Sequence, residues 1–301
     1  MKKIIFSILA IAAVVSLSSC TKHKMHFDVT ELPDDVAEFQ LIYMEPVTTA
    51  AANNIDSVFV NGQLYSNSKG SGTLYPYSGI PYNSGNTNTH TWFFAANAGS
   101  NHFQFYRGEN IIYDQNITLK KGKQCVIFYD LTKDPIIIEL QTPYWADRYN
   151  GVTVSGATWN TDSVIKLQFI NLLFETPGVP YVGTLQYQYK RSGNILDPIT
   201  GAVIGPEPEV WYNMGEPVAF GETTGFQMVV VHKQTFNSSG NQRLDYRILT
   251  ETGDELMKWN GSRMVKYTDY WNGYIGRVYM HFFRGNRTVS PVCNVTQWTL
   301  L

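Results

Sequence analysis

Aromatic side chains crowd two segments of this sequence, and planar rings in such a pattern suit the binding of sugars. One segment lies near residue 270 among Gly and Asn, and the other lies near residue 78 among Ser, Gly and Asn. The rings are Tyr267, Tyr270, Trp271, Tyr274, Tyr75, Tyr77 and Tyr82. Rings on loops stack against sugar faces while nearby amides and carboxylates bind the hydroxyl groups. The alternative is that the rings cover sandwich edges and a seam between domains.

Residue types that serve catalysis are present, but their spacing gives no catalytic motif. The six histidines are His23, His26, His90, His102, His232 and His281. No H-E-x-x-H, G-x-S-x-G or glycine-rich phosphate loop occurs in the sequence. Adjacent carboxylates at Asp34-Asp35 and Asp254-Glu255 fall in predicted turns, whereas a glycosidase needs two carboxyl groups facing each other across a sugar. We therefore expect no enzymatic activity, no catalytic residue, no metal and no cofactor.

The sequence has three cysteines, Cys20, Cys125 and Cys293. The C-x-x-C spacing of a metal site is missing. A disulfide between Cys125 and Cys293 is chemically allowed in an oxidising compartment. The two residues fall in different predicted domains, however, so the sequence favours two buried free thiols.

A short apolar segment opens the sequence and ends at Cys20. Lys2-Lys3 precedes an apolar run over 4–17, which is shorter than the roughly 20 residues of a membrane-spanning helix but typical of a signal peptide. Leu17-Ser18-Ser19-Cys20 then resembles the lipobox of bacterial lipoproteins. The resemblance implies a signal peptide over 1–19, diacylglycerol on the Cys20 thiol and an acyl chain such as palmitate on its amino group. The alternative is an ordinary secretory signal followed by a chance cysteine.

The predicted anchor places the chain in the cell envelope. Several acyl chains on one residue hold a soluble domain firmly at a membrane, with 20–36 as the tether. Thr21 is not the aspartate that retains lipoproteins in the inner membrane of enterobacteria, which favours the outer membrane. Asp28 is the first acidic residue after Cys20, so the acidic export signal of Bacteroidota surface lipoproteins is weak. The face of the outer membrane stays open.

Composition indicates an extracellular β-rich protein. Charged residues make up only 16% of the chain and aromatic residues 14%, against a usual charged fraction of about 25%. A net charge of −2 excludes the basic surface that nucleic-acid binding requires. The expected partners are therefore the membrane and either an envelope protein or a glycan.

Short strand-like runs bounded by turn residues predict an all-β chain of two tandem immunoglobulin-like antiparallel β-sandwich domains. The first domain covers 37–141 and the second 163–301, with a linker over 142–162. The second domain carries an insertion near 194–210, rich in Pro and Gly and without a predicted strand. The halves repeat a strand order: the strand containing Phe39-Gln40-Leu41 is echoed by Leu167-Gln168-Phe169.

The first half also resembles a known group of domains. The features that carry this resemblance are the strand and turn 56–62, the turn 98–101 and the turn 119–123 before Val126-Ile127-Phe128-Tyr129. Together these residues resemble a family of unknown-function domains common in bacterial envelope proteins, including Bacteroidota lipoproteins, over about 38–140. The resemblance implies a β-sandwich envelope module and supplies no catalytic residues.

Asp56-Ser57-Val58 and Asp162-Ser163-Val164 are identical tripeptides, one in each half. They resemble the acceptor motif for O-glycosylation of exported Bacteroidota proteins, which makes Ser57 and Ser163 candidate acceptors. We expect an accessory binding or assembly module of the envelope, with carbohydrate binding through the two aromatic segments as the alternative.

Overall fold

The structure is a computed structural model that describes residues 35–48, 51–67, 93–140, 152–154, 157–159, 164–196, 202–230, 241–274 and 277–299. Within these ranges the chain is all-β, as the sequence predicts, with a single 3₁₀ turn at Ala51–Asn53 and no α-helix. Residues from Asp35 to Leu301 form one compact unit. In the described part of the chain, no helix has the length and apolar character needed to cross a membrane.

The strands fall into two halves along the chain. The first half contains β1 (Val36–Tyr43), β2 (Ser57–Val60), β3 (Gln63–Asn67), β4 (Phe94–Asn97), β5 (Gly99–Arg107), β6 (Asn110–Leu119), β7 (Gly122–Phe128) and β8 (Ile136–Glu139). The second half contains β9 (Val152–Val154), β10 (Ala157–Trp159), β11 (Val164–Thr176), β12 (Val179–Pro180), β13 (Leu185–Arg191), β14 (Asn194–Leu196), β15 (Val203–Pro206), β16 (Tyr212–Asn213), β17 (Gln227–Val230), β18 (Asn241–Thr250), β19 (Met257–Trp259), β20 (Met264–Lys266), β21 (Thr268–Tyr274), β22 (Val278–Asn286) and β23 (Asn294–Thr299).

Strands β1 to β8 form the first sandwich, which consists of two four-stranded sheets. One sheet has the order β4-β1-β7-β8 and the other has the order β3-β2-β5-β6. Strand β1 runs parallel to β7, and the other pairs are antiparallel. Alternate residues of a strand point to the same face, so Phe103 and Phe105 of β5 share a buried core with Phe39 and Leu41 of β1.

Strands β11 to β23 form the second sandwich and repeat the order of the first. One sheet contains β17-β11-β22-β23, with the short β12 added at the end of β11, and the other contains β16-β13-β18-β21. Strand β11 runs parallel to β22, as β1 does to β7. The corresponding pairs are therefore β1 with β11, β2 with β13, β3 with β16, β4 with β17, β5 with β18, β6 with β21, β7 with β22 and β8 with β23.

This strand order differs from that of immunoglobulin constant domains. Those domains place strands A, B, E and D in one sheet and C, F and G in the other. Here the first, fourth, seventh and eighth strands of the first sandwich share one sheet, and the second, third, fifth and sixth share the other; their counterparts in the second sandwich do the same. The chain therefore has two-sheet sandwiches whose strand order is not that of constant domains, and the first strand of each pairs in parallel with a later one.

A third apolar cluster, which we call the shared layer, joins the two sandwiches. It contains Ile42, Met44, Cys125, Ile127, Ile138, Ile170, Leu172, Met280, Phe282 and Trp298. These residues alternate along their strands with residues that point into the two sandwich cores. A sheet covered on both faces is built from nearly continuous apolar strands, which explains the apolar run over 125–128 and the residues 169–174, where Asn171 is the one polar residue.

Both sandwiches build the shared layer from equivalent positions. Gln40 lies opposite Cys125 in the β1–β7 pair, and Gln168 lies opposite Met280 in the β11–β22 pair. The sequence echo noted above therefore reflects corresponding places in two copies of one strand order. The β1–β7 sheet and the β11–β22 sheet lie in the middle of the molecule, and the other two sheets lie outside them.

The insertion near 194–210 departs from the prediction because it contains an antiparallel ribbon of β14 and β15. Glu207 follows β15 and is only 5% exposed. Its carboxylate accepts hydrogen bonds from Arg191 Nε at 3.3 Å and from Gln242 Nε2 at 3.4 Å. A buried charge needs such partners, so these bonds fasten the insertion to β13 and β18. The predicted linker likewise contains a ribbon, formed by β9 and β10.

Three aromatic rings close one edge of the first sandwich, between β3 of one sheet and β4 of the other. The Tyr65 and Phe94 ring centroids are 5.6 Å apart, and Phe39 lies 5.7 Å from Phe94 and 6.1 Å from Tyr65. The Tyr65 hydroxyl also donates a hydrogen bond to the Ala95 carbonyl at 2.8 Å. Tyr65 therefore ties the two sheets together at this edge.

We expect Tyr65→Phe to lower the free energy of unfolding by roughly 0.5–1 kcal/mol, because it removes one hydrogen bond at a partly wet edge. Urea titration followed by circular dichroism measures the change. Tyr270→Phe, at a ring that is 52% exposed, is the control and should change stability by less than about 0.5 kcal/mol. Equal effects of the two substitutions would contradict the role of the Tyr65 hydroxyl.

Candidate functional site

Two of the four rings predicted near residue 270 belong to the core of the second sandwich. Tyr267 is 0% exposed and Trp271 is 6% exposed. The segment is a strand rather than the predicted loop, since β21 pairs with β18 along its whole length. Period-two alternation turns Trp271 inward and Tyr270 outward. The prediction of a four-ring binding surface is therefore corrected, because Tyr267 and Trp271 cannot present a face to a ligand.

Tyr270 and Tyr274 are the accessible members of this group. Tyr270 is 52% exposed, and the guanidinium of Arg243 lies 4.0 Å from its ring centroid. Tyr274 is half-buried beside Arg277, whose guanidinium lies 4.4 Å from the ring centroid. Each ring is thus held by a cation–π contact. The other sequence candidates at Cys20, Tyr75, Tyr77, Tyr82 and Ser163 lie outside the described residues.

Ser57, the other candidate for O-glycosylation, begins β2 and is half-buried. It lies between β3 and β5, opposite Asn67 on one side and Tyr106 on the other. Val58 belongs to β2 and Val164 to β11, and these strands do not correspond in the two sandwiches. The shared tripeptide is therefore not a product of the repeated strand order, and modification of Ser57 stays a prediction.

The most polar part of any core is a cluster around His281 in the second sandwich. His281 is 0% exposed, and its Nδ1 lies 3.2 Å from the Tyr187 hydroxyl. The Trp271 ring centroid is 4.7 Å from that of His281 in an edge-on arrangement. Burial lowers the pKa of His281 to about 3, so the ring is neutral over most of the pH range. The described residues offer its Nε2 no hydrogen-bond partner.

Tyrosine hydroxyls extend this cluster towards the surface. Tyr246 and Tyr267 place their hydroxyl oxygens 3.2 Å apart, and the Tyr246 hydroxyl donates to Asp269 Oδ2 at 3.3 Å. Burial raises the pKa of Tyr187, Tyr246 and Tyr267 well above the ordinary value. These groups therefore remain protonated and act as structural hydrogen-bond partners rather than as bases.

The two remaining cysteines are free and buried, as the sequence favours. Cys125 lies in the shared layer, and its thiol donates to Gln40 Oε1 at 3.6 Å. Burial raises the pKa of Cys125 and of Cys293 to about 12. A thiol of this kind is a poor nucleophile, because the thiolate is the reactive form. Among the described residues, no group of three or more His, Cys, Asp or Glu side chains could hold a metal ion.

The outer face of the β16-β13-β18-β21 sheet is polar and carries accessible rings. Its outward positions carry Gln188, Lys190, Arg243, Asp245, Arg247, Tyr270 and Asn272. Trp211 precedes β16 and lies over this face, 4.4 Å from the Arg247 guanidinium and 5.4 Å from Lys190 Nζ. Two rings flanked by amides and paired charges can bind a polar ligand with flat apolar faces.

Trp211 was not among the residues singled out from the sequence. It follows the insertion, and Tyr212 is the one other aromatic residue within five positions of it. The alternation of Gln188 and Lys190 with Tyr187 and Tyr189 in β13 does signal a solvated face. The sequence does not show that Trp211 lies over that face, because its position depends on the long-range pairing of β16 with β13.

Comparison with known proteins gives no assignment for this surface. The residues that could bind a ligand are therefore identified from burial, charge and ring geometry alone. No protein family model matches the chain, and no curated protein shows significant similarity to it.

Proposed function

We propose that this chain is a lipid-anchored lipoprotein of the bacterial cell envelope, acting as a non-enzymatic accessory binding or assembly module built from two immunoglobulin-like sandwiches. The Leu17-Ser18-Ser19-Cys20 sequence supports the anchor. Lipid on Cys20 would hold the compact unit that begins at Asp35 at the outer membrane, with the preceding residues as a tether.

The shared layer is the observation that supports a binding or assembly role most directly. Ten apolar side chains join the two sandwiches through sheets that are buried on both faces. Such a layer resists relative motion of the sandwiches, because close-packed interiors deform little. The outer faces are then held at a fixed separation, which suits a module that bridges partners in a larger complex.

The groups with strongly displaced pKa values also favour binding over catalysis. Active sites place such groups in clefts, whereas His281, Cys125 and Tyr187 are 0% exposed inside apolar cores. A substrate has no access to them without opening a sandwich. The accessible charges are instead matched in pairs, such as Arg287 with Glu175 at 2.6 Å and Arg247 with Glu255 at 3.0 Å.

Carbohydrate binding is the second candidate, and the exposed Tyr270 ring favours it. Tyr270 projects from the outer face of β21 beside Arg243 and Asn272. A ring with neighbouring amide and guanidinium donors can stack on a sugar and bind its hydroxyl groups. The segment with Tyr75, Tyr77 and Tyr82 supplies further candidate rings from the sequence.

Metabolic labelling tests the anchor. Cells that express the full-length chain are grown with an alkyne-tagged fatty acid, and the wild type is expected to carry the label and to sediment with membranes. Cys20→Ser should lose the label and most of the membrane-bound fraction, because no thiol remains to accept the diacylglyceryl group. Cys125→Ser, at a buried thiol, is the matched control and should keep the label. Equal labelling of Cys20→Ser and the wild type would contradict the proposal.

Photocrosslinking in intact cells tests the assembly role. A photoreactive residue replaces Tyr106 or Tyr270, which lie on the outer faces of the first and second sandwich. We expect a discrete adduct with one envelope protein from at least one of these positions. The same residue at Phe103, which is 0% exposed, is the control and should give none. Absence of adducts from both outer faces would argue against an assembly module.

A further inference from the structure

The two sandwiches differ at one edge, where the second has a cleft and the first has packed rings. The cleft lies between β16 of one sheet and β17 of the other and has a volume of about 420 Å³. This volume falls within the roughly 300–1,000 Å³ that is usual for small-ligand pockets. Its wall includes Tyr189, Trp211, Tyr212, Asn213, Gln227 and Met228.

The corresponding edge of the first sandwich shows why the cleft is open. Aligning β1 with β11 through Phe39-Gln40-Leu41 and Leu167-Gln168-Phe169 makes Phe39 correspond to Leu167. Their partners on β4 and β17 are Phe94 and Gln227. In the first sandwich these two phenyl rings pack against Tyr65 and fill the edge. In the second sandwich a smaller aliphatic side chain and an amide take their places. The exchange removes two rings from the edge and leaves a polar side chain in the wall.

Rings at the mouth of the cleft are held in fixed positions. Tyr212 stacks on the buried Tyr189 with centroids 5.6 Å apart and an interplanar angle of 28°. The Arg191 guanidinium lies 4.9 Å from the Tyr212 ring centroid and donates to its hydroxyl at 3.1 Å. Trp211 is held by its contacts with Arg247 and Lys190. Fixed rings lose little entropy when a ligand stacks on them.

The amides of the cleft are also oriented by their neighbours. Gln188 Nε2 donates to Asn213 Oδ1 at 2.7 Å, which directs the Asn213 amide nitrogen away as a donor. Gln227 Nε2 donates to the Thr224 carbonyl at 2.8 Å, which directs the Gln227 carbonyl oxygen away as an acceptor. The wall of the cleft therefore offers one amide donor and one amide acceptor. A hydroxyl group can accept from such a donor or donate to such an acceptor.

The charges near the cleft favour a neutral ligand. Lys190 is paired with Glu209, Arg247 with Glu255, and Arg191 with the buried Glu207. Each cation beside the rings is therefore already neutralised by a carboxylate. An anionic ligand would have to displace one of these partners, whereas a neutral polyol would leave all three ion pairs in place.

We propose that the cleft between β16 and β17 binds one sugar residue of a neutral glycan. Trp211 and Tyr212 contact its apolar face, and the amides of Asn213 and Gln227 bind its hydroxyl groups. This inference deepens the carbohydrate candidate above and rests on it. It places the sugar-binding site at the sandwich edge, and not at the outward-facing ring of Tyr270.

A glycan array probed with the full-length protein in detergent micelles tests the proposal. The array carries neutral oligomers of hexoses and N-acetylhexosamines beside acidic glycans with uronate or sulfate groups. We expect binding to a subset of the neutral glycans and none to the acidic ones. A blank array, or binding confined to acidic glycans, would overturn the proposal. The labelling and crosslinking results would be unaffected by either outcome, so a failure here is distinct from failure of the anchored-module proposal.

Three variants then locate the site on the strongest neutral glycan. Trp211→Ala should weaken binding at least tenfold, and Gln227→Phe should do the same because it restores the ring that fills the first sandwich. Asn213→Ala, at an exposed side chain, should weaken binding without risk to the fold and decides the matter if the other two variants unfold. Tyr106→Ala, on the first sandwich, should keep wild-type affinity. If Tyr270→Ala loses binding while Trp211→Ala, Gln227→Phe and Asn213→Ala keep it, the glycan binds on the outer face. That result would overturn the proposal of a site in the cleft.

Discussion

Replacing Phe282 by Ala is expected to lower the free energy of unfolding by about 3–4 kcal/mol, the usual cost of removing a buried phenyl ring. Phe282 is 0% exposed and lies in the shared layer, where its ring centroid is 6.3 Å from that of Trp298. The layer lies between two sheets, and such close-packed interiors deform little to close a cavity. Urea denaturation of the chain from residue 27 onward, followed by tryptophan fluorescence and circular dichroism, measures the loss.

The same experiment tests whether the sandwiches unfold together. We expect one transition with coincident midpoints for both signals, because each sandwich buries one face of a sheet against the other. Phe59→Ala is the control: Phe59 is half-buried on an outer face beside Tyr106, and its loss should cost about 1 kcal/mol. Two separate transitions in the wild type, or equal costs at Phe282 and Phe59, would contradict a shared layer.

The shared layer also shows what the sequence could and could not predict. Runs such as 125–128 predict strands, and their lack of alternation signals burial on both faces. The sequence cannot say what covers the second face. In this protein the other sandwich covers the second face. The equivalent positions of Cys125 and Met280 in the two sandwiches become visible only once the strand registers are known.

The candidate site was harder to predict than the fold. Period-two alternation predicts that Tyr270 and Trp271 point to opposite faces, but the phase depends on the pairing of β21 with β18. The crowding of rings in the sequence therefore predicted a surface position for Tyr267 and Trp271, which lie in the core. The cleft has no local signal at all, because Gln227 is notable only beside its counterpart Phe94, and that correspondence requires both registers.

Burial of His281 should make the protein less stable as the pH falls from 6.5 towards 4.5. The folded state holds the pKa of His281 near 3, whereas an unfolded histidine has a pKa of about 6.5. Between these values the unfolded chain binds a proton that the folded chain does not bind. Stability from this group is therefore complete above pH 6.5 and is lost progressively below it. At pH 4.5 the loss is about 3 kcal/mol, from roughly 1.4 kcal/mol per pH unit.

The groups around His281 do not balance the positive charge that protonation would place on its ring. The rings of Tyr187, Tyr246 and Trp271 surround it, and within the described residues neither an ion pair nor a hydrogen bond joins it to a carboxylate. A neutral tyrosine can accept a hydrogen bond from an imidazolium but cannot balance its charge. Protonation of His281 in place is therefore disfavoured, and acid must act by unfolding the second sandwich.

Comparison with His281→Phe isolates this group from the carboxylates that titrate in the same range. The variant lacks the titrating ring and leaves the Tyr187 hydroxyl without its partner at Nδ1, so it should be less stable than the wild type at pH 7. Its free energy of unfolding should fall by about 3 kcal/mol less than that of the wild type between pH 7 and 4.5, as measured by urea titration at each pH. His102→Gln, at a half-exposed ring beside Asp114, is the control and should keep the steep wild-type decline. Parallel curves for the wild type and His281→Phe would show that His281 is protonated without unfolding, which would contradict a sealed core around it.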